Sequence, residues 1–159
     1  MEDGHRCESV GRDLGIDAVL PILLKQGFGH IVNTSSAAGI ITPSYQAVYN
    51  TTKHAVIGLG ESLRIELAHK GIVVTTLCPG YVATPALGET PFTVNTISPE
   101  EAARIILDAV EMKKGIVIFP EELDRWIRGA MCHPEEIDRH LFQDEEKRRK
   151  NLADRGLLD

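Results

Sequence analysis

The chain has 159 residues, 43% of them hydrophobic and 25% charged, with a formal net charge of −6 at pH 7. That length supports a buried core, and the composition is ordinary for a globular protein. The acidic balance argues against nucleic acid and anionic membrane surfaces as main partners.

Residues 1–13 show no periodicity. Leu14, Val19, Leu20, Leu23 and Leu24 then predict a helix that ends near Gly27, with Pro21 inside it as a place for a kink. The apolar run behind Gly27 and Gly29 predicts a buried strand over 30–35, closing on small polar residues. Gly39 to Ser44, with Pro43, reads as a loop, and a long helix is expected from about Tyr45 to His69, stopped at Gly71. Gly58 and Gly60 inside it each cost roughly 1 kcal/mol against alanine. That cost predicts a close approach of another backbone, for example from a second subunit.

Ile72 to Cys78 is a β-branched run and a second buried strand, closed by Pro79-Gly80. After a polar loop over 81–97, Ser98-Pro99-Glu100-Glu101 is a helix start: serine as cap, proline first, glutamate closing a capping box. Ala102, Ile105, Ile106, Ala109 and Val110 give this helix one apolar stripe. Ile116 to Phe119 is a third strand, and from Glu121 onward the pattern is helical, broken at Pro134. Strand–helix–strand–helix–strand at this spacing predicts an α/β fold with a three-stranded parallel sheet and right-handed crossovers.

Several local signals have plain readings. Lys147-Arg148-Arg149-Lys150 follows Asp144, Glu145 and Glu146, which cancel most of its field, so a solvated helix face is expected. Trp126, Ile127 and Met131 suit a core or a subunit contact. Cys132, His133 and His140 suit a surface, and no metal site is expected. Cys7, Cys78 and Cys132 are read as free thiols of a reducing compartment. No apolar run reaches the roughly 18 residues that span a bilayer, and the charged N-terminus lacks a signal peptide's apolar centre. The expected location is the cytoplasm.

Tyr49 and Lys53 lie four apart, on one helix face. Ser36 falls just past the carboxyl end of the first strand, where open α/β sheets place their ligand crevice. A phenol titrates near pH 10 (roughly) and moves protons poorly at neutral pH, but an ammonium group beside it favours the phenolate. Such a trio suits carbonyl–alcohol chemistry: Tyr49 as general acid or base, Ser36 as donor to the reacting oxygen. Hydride transfer then requires a cofactor, because no side chain donates hydride.

With Asn33-Thr34-Ser35-Ser36 and Gly39, Tyr49-x-x-x-Lys53, and Pro79-Gly80-Tyr81-Val82-Ala83-Thr84, the sequence resembles the short-chain dehydrogenase/reductase family. The three pieces occur in order, and the resemblance covers roughly residues 15–120. It implies a Rossmann-like fold, NAD or NADP as cofactor, and a small carbonyl or secondary alcohol as substrate. It also implies Ser36, Tyr49 and Lys53 as catalytic residues, with Lys53 at the nicotinamide ribose. Pro79, Gly80, Val82 and Thr84 would form the nicotinamide loop, and association into homo-oligomers is common in the family.

The sequence also departs from the family. It contains no Gly-x-x-x-Gly-x-Gly turn for the pyrophosphate. The family's Asn-Asn-Ala-Gly strand is missing, and no asparagine precedes Asn33; Glu8 and Ser9 fall about where the additional active-site asparagine is usual. The expectation is therefore one partial domain over 1–159, with a family-like core over 14–120 and a helical extension over 121–159. Weak cofactor binding by this chain alone follows. The alternative is a non-catalytic truncated remnant that acts through helix-mediated association.

Overall fold

The computed structural model describes residues 15–87 and 96–157. Helix α1 covers 15–26 and runs unbroken through Pro21. Then come β1 (Gly29–Thr34), α2 (Ala47–Ala68), β2 (Ile72–Pro79), α3 (Pro99–Glu111), β3 (Ile116–Phe119), α4 (Glu121–Ala130) and α5 (Pro134–Asp154). Every expected element is present, within two residues of its expected bounds where those residues are described. Cys7, Glu8, Ser9, Leu14 and part of the 81–97 loop lie outside the described residues.

Among the described residues the sheet has three parallel strands in the order β1-β2-β3. The register runs from Gly29↔Ile72 to Thr34↔Leu77 on one side of β2, and from Thr76↔Ile116 to Pro79↔Phe119 on the other. β2 is the centre, and its β-branched run explains why: it is buried on both faces, and the hydroxyl of its buried Thr75 donates to the Lys114 carbonyl. Alternate residues serve opposite layers. Ile72 and Val74 pack with Leu67 of α2 and with Leu20 and Leu23 of α1. Cys78 joins Ile118, Ile127 of α4 and Ile57 of α2. Leu77, facing the other way, meets Ala102, Ala109 and Val117 under α3. Ser98 starts α3 as expected, its hydroxyl accepting from Glu101 N–H at 3.1 Å.

Three sequence expectations are corrected by packing. Helix α2 starts at Ala47, not Tyr45, because Tyr45 adopts a left-handed backbone (φ 60°) that no α-helix continues. Gly60 does not serve a second subunit: a Cβ there would lie 2.1 Å from Thr76 Oγ1, so the glycine lets α2 sit on the central strand. Gly58, two residues away, faces open space. The basic run on α5 is not wholly a solvated face, since Arg148 within it is buried. Ile127 is core, whereas Met131 is exposed.

No helix among the described residues is long and apolar enough to cross a membrane.

Candidate active site

The pairing of Thr34 with Leu77 sets the carboxyl ends of β1 and β2 side by side. The chain leaves both strands at the same sheet edge, where an α/β fold opens its crevice. The two serines after β1 then part company. Ser35 is buried, and its hydroxyl donates to the carbonyl of Lys53 at 2.7 Å. Ser36, half-buried, caps a short turn over Ala37–Gly39, its Oγ accepting from Ala38 N–H at 3.2 Å. Gly39 in this turn lies against α2 so closely that a Cβ would meet the Lys53 carbonyl oxygen at 2.7 Å. The turn bearing Ser36 is thus pressed onto the helical turn bearing Lys53.

Tyr49 stands in the first turns of α2 and is half-buried, while Lys53 is buried one turn on. The Lys53 ammonium lies 5.1 Å from the centroid of the Tyr49 ring, within the range of a cation–π contact. Asn50, between them in sequence, faces another way; its amide donates to Pro43 O at 2.8 Å and fastens the preceding loop to the helix. A cavity of about 570 Å³ lies on that side, lined by Thr42, Pro43, Tyr45, Asn50 and His54. It does not include Tyr49 or Lys53.

The neighbouring loop carries the other expected residues. Pro79 ends β2 opposite Phe119, and Gly80 N–H donates to the Phe119 carbonyl at 2.7 Å. Val82 bridges Ile97, through the Tyr81 carbonyl and the Ala83 N–H on either side of it. In such a bridge the N–H of Val82 points away from Ile97. Thr84 is exposed, and its N–H donates to the Val82 carbonyl at 2.8 Å.

Two groups beside this region titrate away from their usual range. Burial, with a smaller push from Glu61, raises the Cys78 thiol to about 12, against a weaker opposing contact at the Ser36 backbone. The Tyr45 hydroxyl is raised by donating to Glu145 at 2.7 Å. Among the described residues no group of three histidine, cysteine or acidic side chains could hold a metal ion. Ser35 and Asn50 were not singled out from sequence. A second serine beside the first, and an asparagine next to the tyrosine, carry no local sign of burial.

The profile of the family described as short chain dehydrogenase matches residues 9–95, more than half of the chain. The chain is 37% identical over 70 residues to a D-beta-hydroxybutyrate dehydrogenase of Rhizobium meliloti, covering 44% of this chain and 27% of that protein. It is 44% identical over 77 residues to an uncharacterized oxidoreductase of Staphylococcus epidermidis, covering 48% of this chain and 34% of that one. The fold is similar to that of a short chain dehydrogenase from Burkholderia cenocepacia in complex with NADP (TM-score 0.77, 22% identity, 86% of this chain and 56% of that chain). It is also similar to a short-chain dehydrogenase from Sphingobium yanoikuyae in complex with NADPH (TM-score 0.60, 26% identity, 74% and 50%). The matches thus span about a third or less of these curated relatives and about half of these solved structures. Parallel strands, crossover helices and the family profile lead to one conclusion: the chain belongs to the short chain dehydrogenase family.

Proposed function

We propose that this chain carries the proton-transfer and nicotinamide half of an NAD- or NADP-dependent oxidoreductase acting on a carbonyl or secondary alcohol. The observation that carries the reading is the Lys53 ammonium 5.1 Å from the Tyr49 ring, with the Ser36 turn packed on the same lysine's backbone. Tyr49 gives its hydroxyl proton to the oxygen of a carbonyl as it is reduced, or takes the proton of an alcohol as it is oxidised. Ser36 donates a hydrogen bond to that oxygen. Lys53 stabilises the phenolate and contacts the nicotinamide ribose. A bound nicotinamide cofactor supplies or accepts the hydride. Val82 N–H and the Thr84 hydroxyl, behind Pro79-Gly80, suit its carboxamide. The residues present fit this end of the cofactor, and the sequence has no glycine-rich turn for the pyrophosphate end.

Relatives bearing the names dehydrogenase and oxidoreductase support the reaction class, and neighbours holding NADP or NADPH support the cofactor class. We read residues 14–120 as the family-like core and 121–159 as its helical extension, within one partial domain. Free thiols at Cys78 and Cys132 suit the cytoplasm. The test is turnover of NADH or NADPH with simple ketones at millimolar cofactor. Tyr49→Phe should lower ketone-dependent turnover by about 10²–10⁴-fold. A variant keeping more than about a tenth of the rate, or wild-type protein without ketone-dependent turnover, contradicts the reading.

Self-association is the second reading. Among the described residues β1 is an edge with no strand on its outer side, and Phe28, Val32 and Ile22 beside it are exposed. Bare strand edges pair with other chains. Val48 and Ile65 add exposed apolar surface on α2. Sedimentation at micromolar concentration should show a dimer or larger species; a compact monomer alone contradicts it.

A further inference from the structure

Helix α5 touches two loops that are far from it in sequence and that flank the candidate site. Its Glu145 accepts the Tyr45 hydroxyl at 2.7 Å across 100 residues. Its Arg148 donates to the Tyr81 hydroxyl at 3.2 Å across 67 residues, and to Asp144 through Nε. Glu145 and Arg148 lie three apart and so share a helix face. Tyr45 ends the loop that leads into the Tyr49 helix, and Tyr81 follows Pro79-Gly80 in the neighbouring loop.

The Tyr45–Glu145 bond is exposed, whereas the Arg148 contact is partly buried. Arg148 is only 7% exposed, although its neighbours Lys147 and Arg149 are exposed. Burial works against its charge, and Asp144 and Tyr81 more than offset that, so the guanidinium stays charged. Tyr45 holds a left-handed backbone, φ 60°. A bulky residue keeps such a conformation only where its surroundings over-determine it, and the hydroxyl bond to Glu145 is one such tie.

We propose that Glu145 and Arg148 are positioning residues: through Tyr45 and Tyr81, α5 braces the two loops that flank Tyr49 and fixes their separation. Arg148 sets the Pro79–Thr84 loop, and Glu145 sets the entry to α2. Neither residue touches the reacting atoms. The part concerning the nicotinamide loop rests on the function proposed above, while the brace itself does not.

The chain has three tyrosines, Tyr45, Tyr49 and Tyr81. Uniform 3-fluorotyrosine labelling therefore gives one fluorine resonance for each brace contact and one for the catalytic candidate. In Arg148→Met the brace predicts movement of the Tyr81 resonance and also of Tyr49, with Arg148→Lys returning both towards wild type. Movement of Tyr81 alone overturns the brace. If Arg148→Met fails to fold by circular dichroism, Tyr81→Phe decides, because it removes only a hydroxyl: a shifted Tyr49 resonance supports the brace and an unshifted one overturns it. Titration with reduced nicotinamide mononucleotide completes the test. Arg148→Met should weaken binding by about tenfold or more, and Arg148→Lys should recover it to within about threefold, as lost and restored preorganisation require. Equal affinity in wild type and Arg148→Met overturns the positioning role. Wild-type protein that does not bind this probe counts against the site reading, and the fluorine resonances still decide the brace.

Discussion

The Ser35 hydroxyl donates to the backbone carbonyl of Lys53 at 2.7 Å, across 18 residues of sequence. One buried bond therefore ties the end of β1, where Ser36 sits, to the helical turn that carries Tyr49 and Lys53. The adjacent serines divide their work. Ser35 fixes the frame, and Ser36 stays half-buried, its hydroxyl accepting from Ala38 N–H.

That division predicts opposite responses to alanine. Ser35→Ala removes a buried hydrogen bond, with a loss of about 1 kcal/mol, which lowers the melting temperature by roughly 2–4 °C for a chain of this size. Ser36→Ala should leave the melting temperature within about 1 °C of wild type, because its 3.2 Å capping bond is long and partly exposed. It should instead lower ketone-dependent turnover by about tenfold or more. Calorimetry and a turnover assay on both variants check this, and equal melting losses would contradict it.

Gly58 and Gly60 predict opposite signs as well. A Cβ at position 60 would lie 2.1 Å from Thr76 Oγ1, so Gly60→Ala should destabilise by about 1–3 kcal/mol through overpacking. At position 58 nothing lies within 4 Å, and Gly58→Ala should stabilise by up to about 1 kcal/mol through helix propensity. Adding Thr76→Ala to Gly60→Ala should recover part of the loss. Urea unfolding of the three variants measures it, and a destabilised Gly58→Ala would run against the packing described.

The fully buried Cys78 thiol, raised to about 12, stays protonated where the unfolded chain's thiol, near 9, ionises. The folded state then holds more protons than the unfolded state between those values, so this group lowers stability as pH rises from about 9 towards 12. Below 9 it has no such effect. Cys78→Ala should flatten that alkaline slope, as followed by urea midpoints at successive pH values. Iodoacetamide at pH 8 should modify exposed Cys132 and spare Cys78 in the folded protein, a difference that peptide mass mapping reads directly.

What the sequence made legible was the part governed by local rules. β-branched runs marked β1, β2 and β3, Ser98-Pro99 marked the start of α3, and a four-residue spacing put Tyr49 and Lys53 together. What it hid depends on long-range packing. Gly60 looks like any helix glycine until Thr76 lies across from it. Ser35 is indistinguishable from Ser36 until α2 packs beside β1 and brings the Lys53 carbonyl to its hydroxyl. Arg148 sits in a basic run that reads as solvated, because its partner Tyr81 lies 67 residues away. Tyr45 fits a helix pattern by composition, yet its backbone and its bond to Glu145, 100 residues distant, place it outside.

We propose that this chain holds the proton-transfer and nicotinamide end of the site, and its sequence has no glycine-rich turn for the pyrophosphate end. Isothermal titration of the same protein with NADH, NADPH and reduced nicotinamide mononucleotide tests it most directly. If the missing glycine-rich turn is worth about 4 kcal/mol, its loss weakens a micromolar cofactor to roughly millimolar. All three should bind weakly, with the mononucleotide within about threefold of the full dinucleotides, because the adenosine half would meet no dedicated contacts. A dissociation constant below about 10 μM for NADH or NADPH, with the mononucleotide far weaker, would contradict it.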